Sequence, residues 1–392
     1  MLQEYIHRFN NEDELNEYVM SSYTLPFVST TVVGTGANSS ITVNYNLREI
    51  KEYLTFEIVS GGTLYWKAGN TAKTIEVQIN DGEWTSITSS SDNGGSGTTI
   101  GELVTGDIIK FRAVNGNYGG SSISASNRFT HTPDFCYYAY GNIMSIINQN
   151  NYVINRAFSN GYTFRALFYY NNIMIHPYKQ LLFPATTIQN GSYMEMFICC
   201  RKLTKSPSLP AKIMKEYCYE SMFSGCTSLE KLPELPATVL AVRCYSSMFQ
   251  GCNKITEIPD DYLPLTTLYS QCYAGMFYGC KGLTDVSNLK LPATTLAARC
   301  YTGMFWYCSN LTKAPELPAP TLVDRCYTYL FEGCTKLNYI KCLATDISAN
   351  VCTNRWTTNV AASGTFVKHP DMENWTTGRD GIPSNWTVEN AT

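Results

Sequence analysis

Cysteine is the residue whose number and spacing most suggest chemistry in this chain. All fifteen cysteines lie from Cys136 onward, and ten of them form five pairs whose members are eight residues apart. These pairs are 218/226, 244/252, 272/280, 300/308 and 326/334. Zinc sites place about two to four residues between ligands, and no Cys-x-x-Cys occurs here. The favoured interpretation is a ladder of reduced, buried thiols; disulfides in part of the ladder and a metal site are the alternatives.

Other residues with catalytic potential are few. The four histidines are His7, His131, His176 and His369, so a cysteine nucleophile has no histidine base within residues 177–368. Asp260 and Asp261 are adjacent in a proline-flanked segment, where carboxylates are usually solvated turn residues. We therefore predict no catalytic residue, no metal ligand and no cofactor, and we expect the chain not to be an enzyme.

Charge and composition favour recognition by contact. The chain has 29 basic and 32 acidic residues in 392, and charged residues make up 16% against about 25% in an average domain. This balance argues against a nucleic-acid partner. The 28 tyrosines favour an amphipathic contact surface. Residues 1–20 do not read as a secretory signal, and no apolar run predicts insertion into a membrane.

A repeated frame occupies the second half of the chain. The string Cys-Tyr-x-x-Met-Phe-x-Gly-Cys-x-x-Leu runs from Cys218 to Leu229, and its relatives return at steps of 26, 28, 28 and 26 residues. Degenerate copies precede it at Tyr193–Phe197 and Phe164–Phe168. Such a period predicts stacked copies of one structural unit.

Each repeat divides into two patterns. From Thr238 to Gln250 apolar residues recur at spacings of three and four, which predicts a short helix that ends at Gly251. After its helix pattern, each repeat has a segment rich in leucine and proline, such as Leu229–Pro236. This segment predicts a short strand. One helix and one strand cannot bury their apolar sides alone, so neighbouring units must stack. We predict an α/β leucine-rich-repeat solenoid over residues 148–352, covered by a C-terminal cap at 353–392.

The front half has a different pattern. Residues 47–147 alternate apolar and polar side chains between Gly, Asn and Asp turns, which predicts an antiparallel β-sandwich with hairpin loops at Asn80–Glu83 and Ser89–Gly97. Residues 1–46 are interpreted as an attachment segment, with a helix at Glu12–Met20 followed by the β-like Thr24–Val43. The predicted fold is thus multidomain, a sandwich followed by a solenoid.

The repeats also resemble a known family. The frame Met-Phe-x-Gly-Cys-x-x-Leu-x-x-x-Pro-x-Leu-Pro-Ala-x-x-Leu is similar to the BspA-like leucine-rich repeats of surface and phage proteins of gut bacteria, over roughly residues 164–352. Glu4–Phe9, Pro26–Ser29 and Tyr140–Ser145 resemble segments of proteins that join an Ig-like sandwich to such repeats, including structural proteins of crAss-like phages of Bacteroides. Tyr307 departs from the frame, because it replaces the glycine.

Candidate ligand-binding residues lie in slots that vary between the repeats, because the recurring slots are needed for the core. One predicted row follows the strand leucine and the other follows the repeat phenylalanine. The first row contains Lys205, Lys231, Glu257, Asp285, Lys313 and Tyr339. The second contributes Tyr278 and Trp306, whose rings suit stacking on a sugar or a protein.

The leading hypothesis is a non-enzymatic virion protein, a head or tail fibre, that recognises a host surface glycan or protein. Residues 1–46 are expected to bind other virion proteins, and the sandwich is expected to act as a spacer or to form a homo-oligomer such as a trimer. The absence of a recognisable secretion signal favours a virion over a bacterial cell-surface adhesin, which is the alternative. A carbohydrate-active enzyme is the third reading.

Overall fold

The computed structural model describes residues 52–91, 95–114 and 116–392, together with the backbone of three strands nearer the N-terminus. These strands are β1 (Tyr5–His7), β2 (Phe27–Val33) and β3 (Ser40–Tyr45). They form an antiparallel sheet in the order β1-β3-β2. The helix predicted at Glu12–Met20 lies outside the described residues.

Two antiparallel sheets follow, and several of their strands alternate buried with partly exposed side chains. Their strands are β4 (Leu54–Ser60), β5 (Gly62–Lys67), β6 (Thr74–Ile79), β7 (Thr85–Thr88), β8 (Thr98–Leu103), β9 (Ile108–Arg112), β10 (Arg128–His131) and β11 (Cys136–Asn142). The larger sheet has the order β11-β4-β9-β6-β7 and the smaller β10-β5-β8. The rings of Phe56 on β4 and Phe129 on β10 lie 5.1 Å apart, so the inner faces of the two sheets share one core.

The hairpin predicted at Asn80–Glu83 is confirmed. Asn80 and Asp81 both have positive φ, 48° and 57°, and the N–H of Gly82 donates to the Ile79 carbonyl at 2.9 Å. Two consecutive left-handed residues match the twist of the strands on either side, β6 and β7. Asn and Asp tolerate this conformation better than most residues, which explains why the sequence signal was reliable.

The larger sheet continues into the repeats. The strands β12 (Ile173–Ile175) and β13 (Leu181–Leu182) pair in parallel with β11. The Phe129 ring stacks on Phe168 at 5.7 Å, and Phe168 stacks on Phe197 at 5.4 Å. The sheets therefore cover the first repeat with their own core.

The predicted α/β leucine-rich-repeat solenoid is wrong. Residues 116–392 contain no α-helix, and their one helical element is the 3-10 helix Ile143–Ile146, which precedes the repeats. The helix predicted at Thr238–Gln250 is a run of turns, and Leu229–Pro236 carries no strand. The regular structure is almost entirely β, and its sheets do not form a solenoid.

Consecutive four-residue turns replace the helix. In the repeat that begins near Tyr217, the N–H of Met222 donates to the carbonyl three residues back, Tyr219, at 3.2 Å. The N–H of Phe223 instead donates to Met248 in the next repeat, at 3.0 Å. This alternation satisfies the backbone donors without a helix and joins each repeat to its neighbour.

The turns require a left-handed residue at every fourth position. Tyr217, Ser221 and Gly225 have φ of 59°, 55° and 74°. The same three slots are left-handed in eight successive copies, which we call the repeat stack, residues 158–360. The corresponding residues are 162/166/170, 191/195/199, 243/247/251, 271/275/279, 299/303/307, 325/329/333 and 351/355/359.

A period of four residues explains the error. Cys218, Met222 and Cys226 lie at intervals of four, and over two or three turns this cannot be told from the 3.6-residue period of a helix. Gly225 and Gly251 are left-handed, as predicted for a helix end, but each closes the third turn of a run. The prediction of conformation at the glycines was correct, and the element assigned to them was wrong.

Two columns of aromatic rings run through the repeat stack. Ring centroids of successive members are 5.4–6.3 Å apart, within the range of favourable aromatic pairs. All these rings are buried. One column contains Tyr193, Tyr219, Tyr245, Tyr273, Tyr301 and Tyr327, and the other Phe168, Phe197, Phe223, Phe249, Phe277, Phe305 and Phe331.

The C-terminal residues cover the far end of both columns. Trp356, fully buried, lies 6.2 Å from Tyr327 and 6.5 Å from Phe331, and it stacks on Trp375 at 5.4 Å. The Trp356 indole N–H donates to the Gly381 carbonyl at 2.9 Å. Beside it β14 (Tyr339–Cys342), β15 (Thr365–Lys368) and β16 (Thr387–Asn390) form a parallel sheet.

We predict that Gly275→Ala destabilises the chain by roughly 1–2 kcal/mol, because Gly275 has φ of 61° and a side chain resists that conformation. In a helix interior the same change would stabilise by up to about 1 kcal/mol. The urea midpoint measures the sign, and a rise would contradict the turn geometry. Ser247→Gly, in the same slot of the preceding repeat, is the reciprocal control and should not destabilise.

Phe249→Ala should lower the free energy of unfolding by about 3–5 kcal/mol, because it opens a gap between two ring neighbours in a fully buried column. Gln250→Ala, one residue on and partly exposed, should change it by less than about 0.5 kcal/mol. Equal losses from the two variants in urea titrations would contradict the column.

Candidate ligand-binding surface

The cysteine ladder forms part of the core. All fifteen cysteines are free, and all except the half-buried Cys199 are buried. In successive repeats the second cysteine donates its S–H to the phenylalanine carbonyl of the preceding repeat, as Cys226 does to Phe197 at 3.0 Å and Cys252 to Phe223 at 3.2 Å. The ladder thiols thus add a second set of hydrogen bonds between repeats.

Burial also removes the nucleophilic character of these thiols. It raises the pKa of Cys218, Cys272 and Cys280 to about 12 and raises that of Cys226 and Cys252 well above the ordinary value. The thiolate is the form that attacks and ligates, so these cysteines stay protonated at neutral pH. The structure favours the buried-thiol interpretation.

His131, His176 and Asp261 have partners within the described part of the chain. The Nε2 atom of His131 accepts the Asn172 N–H at 3.0 Å, and the Nδ1 atom of His176 accepts the N–H of Tyr178. Asp261 forms an exposed ion pair with Lys290 at 2.9 Å. Among the described residues no three His, Cys, Asp or Glu side chains are grouped so that they could hold a metal ion. In the same part of the chain, no helix is long and apolar enough to cross a membrane.

The structure brings together half of the predicted polar row. Asp285, Lys313 and Tyr339 are joined by parallel bridges between successive repeats, and the Lys313 ammonium lies 3.4 Å from the Asp285 carboxylate. Lys205, Lys231 and Glu257 are exposed and form no ion pair with a described residue. The row therefore does not form one continuous site.

The predicted aromatic pair belongs to a larger surface cluster. Trp306 lies 5.1 Å from Tyr278, 5.5 Å from Tyr307 and 4.9 Å from Tyr329, with nearly parallel rings in the last two pairs. We call Tyr278, Trp306, Tyr307 and Tyr329 the aromatic platform. Tyr307 is 44% exposed, so the platform presents ring surface to solvent.

The position of Trp306 lowers the stability of the fold. Its indole N–H is buried without a hydrogen-bond partner, which costs roughly 1–3 kcal/mol. Other repeats place Ser224, Gln250 and Glu332 in this slot. A residue that stability alone does not favour is a candidate for function.

Tyr329 is fixed from its other side. The Arg355 guanidinium lies 5.6 Å above the Tyr329 ring and pairs with the Glu332 carboxylate at 2.5 Å. The Glu332 side chain is only 2% exposed. A charged pair anchored in the core therefore limits the movement of the platform.

A groove of about 840 Å³ runs beside the platform. Tyr278 and Tyr307 form part of its wall. Gly251, Gly279 and Gly333 hold the same slot as Tyr307 and lie along the groove; a Cβ on Gly279 would meet no atom within 4 Å, so space is open there. The polar lining is Gln250, Asn253, Lys281, Ser309, Thr335 and Asn359.

A smaller pocket of about 360 Å³ lies where the sheets meet the repeats. It is lined by residues 175–181 and 205–208, including Lys205 of the predicted row. The Lys179 ammonium lies 3.4 Å from the Glu57 carboxylate and 4.0 Å from the Tyr140 ring centroid. Burial and the nearby Lys179 lower the pKa of His176, so its imidazole is neutral at pH 7. The Lys179 ammonium therefore already has a partner, the Glu57 carboxylate.

Sequence reasoning found Tyr278 and Trp306 but missed Tyr307 and Tyr329. Tyr307 stands in the glycine slot, and a tyrosine replacing a glycine beside two aromatic slots is a usable signal. Tyr329 falls in a slot predicted to be helical, so its direction toward the platform could not be derived. Lys281 follows a ladder cysteine, and its place in the groove lining depends on how successive repeats stack, which the sequence does not reveal.

Comparison with known proteins adds no relative. No protein-family model, no curated protein and no solved structure matches this chain.

We predict that native protein exposes about one reactive thiol per chain, Cys199, to a disulfide reagent, against fifteen after unfolding. Near pH 9, the ordinary thiol pKa, the count should stay low, because burial keeps the ladder thiols protonated. Ellman titration with and without denaturant gives both numbers. Rapid reaction of five or more native thiols would contradict the buried ladder.

Proposed function

We propose that the chain is a non-enzymatic structural protein of a phage virion, in a head or tail appendage, and that it recognises a glycan or protein on the host surface. The aromatic platform beside the groove is the observation that carries the recognition part. Partly exposed Tyr and Trp side chains are enriched among the residues that contribute most to binding at protein contact surfaces.

The architecture supports a role in presentation. The repeat stack is held by hydrogen bonds and ring contacts along its length, so its surface residues sit on a rigid framework. Binding then costs little ordering of the protein. The assignment to a virion rests on the resemblance of the repeat frame and of the N-terminal strings to phage structural proteins.

A bacterial surface adhesin would use the same platform, so location separates the two functions. We expect antibodies raised against the purified chain to label intact phage particles by electron microscopy at a fixed position on the head or tail. Antibody label confined to bacterial envelopes would contradict the virion assignment and support the surface adhesin.

Trp306→Gln should weaken binding of the purified chain to its host cells by about thirtyfold, the size of a typical tryptophan hot spot. Gln is the residue in this slot two repeats earlier, at Gln250, so the variant is expected to fold. Binding of labelled protein to a panel of Bacteroides strains, and to polysaccharide extracted from them, measures the change.

Tyr178→Ser is the matched control. Tyr178 is 83% exposed, like a binding residue, but it lines the pocket at the sheet–repeat junction and not the groove. Its loss should therefore leave binding unchanged. An effect of Tyr178→Ser without an effect of Trp306→Gln would move the recognition site to the junction. Failure of the unaltered chain to bind any strain or extract would leave only an architectural role.

A further inference from the structure

The groove beside the platform crosses several repeats in one direction. The residue after the second ladder cysteine is Asn253, Lys281, Ser309 and Thr335 in four successive repeats, and all four line the groove. The phenylalanine rings of these repeats are 5.8–6.0 Å apart, so equivalent side chains recur at about that interval. A regular column of this kind suits a linear polymer better than a single small molecule.

These column residues are direct neighbours. The Lys281 backbone N–H donates to the Asn253 side-chain oxygen at 3.3 Å, and the Thr335 hydroxyl donates to the Ser309 carbonyl at 3.2 Å. Asn253, Lys281 and Thr335 are exposed, so their remaining donors and acceptors face the groove or solvent. The column therefore offers amide and hydroxyl groups in series.

The walls add flat apolar surface. Tyr278 and Tyr307 line the groove with rings whose centroids are 6.0 Å apart. The Tyr307 ring lies over Gly333, where a Cβ would come within 2.4 Å of it, so the glycine makes room for the ring. Aromatic faces with adjacent amides and hydroxyls match the two surfaces of a sugar, its apolar C–H face and its hydroxyl edge.

The groove lining contains one charged side chain, and it is positive. Lys281 is the sole lysine, arginine, aspartate or glutamate among the residues that line the groove. It is exposed and forms no ion pair with a described residue. An exposed ammonium without a carboxylate nearby favours a ligand that brings its own negative charge.

We propose that the groove binds a linear polysaccharide that contains an acidic sugar, with the sugar carboxylate paired to Lys281 and neighbouring sugar rings stacked on Tyr278 and Tyr307. This inference rests on the proposed function, because it names the ligand class of that recognition surface. A protein ligand is the competing occupant, and the experiment below distinguishes it.

The test uses the full chain and polysaccharide extracted from strains that it binds, in two forms: untreated, and with the carboxyl groups chemically reduced to alcohols. We expect reduction to weaken binding about tenfold, the value of one charge-assisted hydrogen bond. Lys281→Gln should cause the same loss on untreated polysaccharide and no further loss on the reduced form, since both changes remove one interaction.

Tyr307→Gly should also weaken binding to both forms by at least about tenfold, because it removes a stacking wall while restoring the residue that neighbouring repeats carry. Lys212→Gln, an exposed lysine outside both the groove and the predicted polar row, is the matched control and should bind as the unaltered chain does. Thermal unfolding of each variant verifies that it is folded.

The outcomes separate this inference from the proposed function. If Trp306→Gln weakens binding as expected but Lys281→Gln and carboxyl reduction have no effect, recognition stands and the acidic-glycan inference falls. If binding to cells disappears after protease treatment and extracted polysaccharide does not bind, the occupant is a protein and the inference falls. If the unaltered chain binds neither cells nor polysaccharide, both proposals fall.

Discussion

The backbone of the repeat stack depends on one constraint: within each run of turns every fourth residue takes a left-handed conformation, so that consecutive turns close and alternate amides point to the next repeat. A residue other than glycine gives up roughly 1–2 kcal/mol in this conformation. Hydrogen bonds between repeats and buried ring contacts offset that cost. Because the offset comes from neighbours, the two ends need covers, and Phe129 at one end and Trp356 at the other supply them.

The same constraint divides the side chains into two classes. Slots such as those of Phe249 and Cys252 face the stack and keep their chemistry from repeat to repeat, since a change would break a column or a hydrogen-bonded ladder. Trp306 and Lys281 lie in slots whose residue type varies between copies. A rigid inner lattice with free outer positions is suited to recognition of an extended surface, and the groove spans several of these outer positions.

The predicted fold class was wrong, although several local features were predictable from the sequence. Alternating strands and the Asn80–Asp81 turn were predictable because their signals are local. The phase of the repeats, the burial of the cysteines and the left-handed glycines were also predictable. The helix was wrong because a four-residue period resembles that of a helix, and hydrogen bonds to residues about 25 positions away leave no local mark. For this reason Tyr278 and Trp306 were found, whereas Tyr307, Tyr329 and Lys281 required the three-dimensional arrangement.

The most direct test of the account is a set of backbone carbon chemical shifts for residues 218–333, measured by NMR on deuterated protein, because these shifts report the φ and ψ angles of each residue. Left-handed values are expected at every fourth position within each run of turns, as at Ser221, Ser247 and Arg299, separated by three residues with negative φ. Uninterrupted helical shifts across Thr238–Gln250 and its counterparts would contradict it.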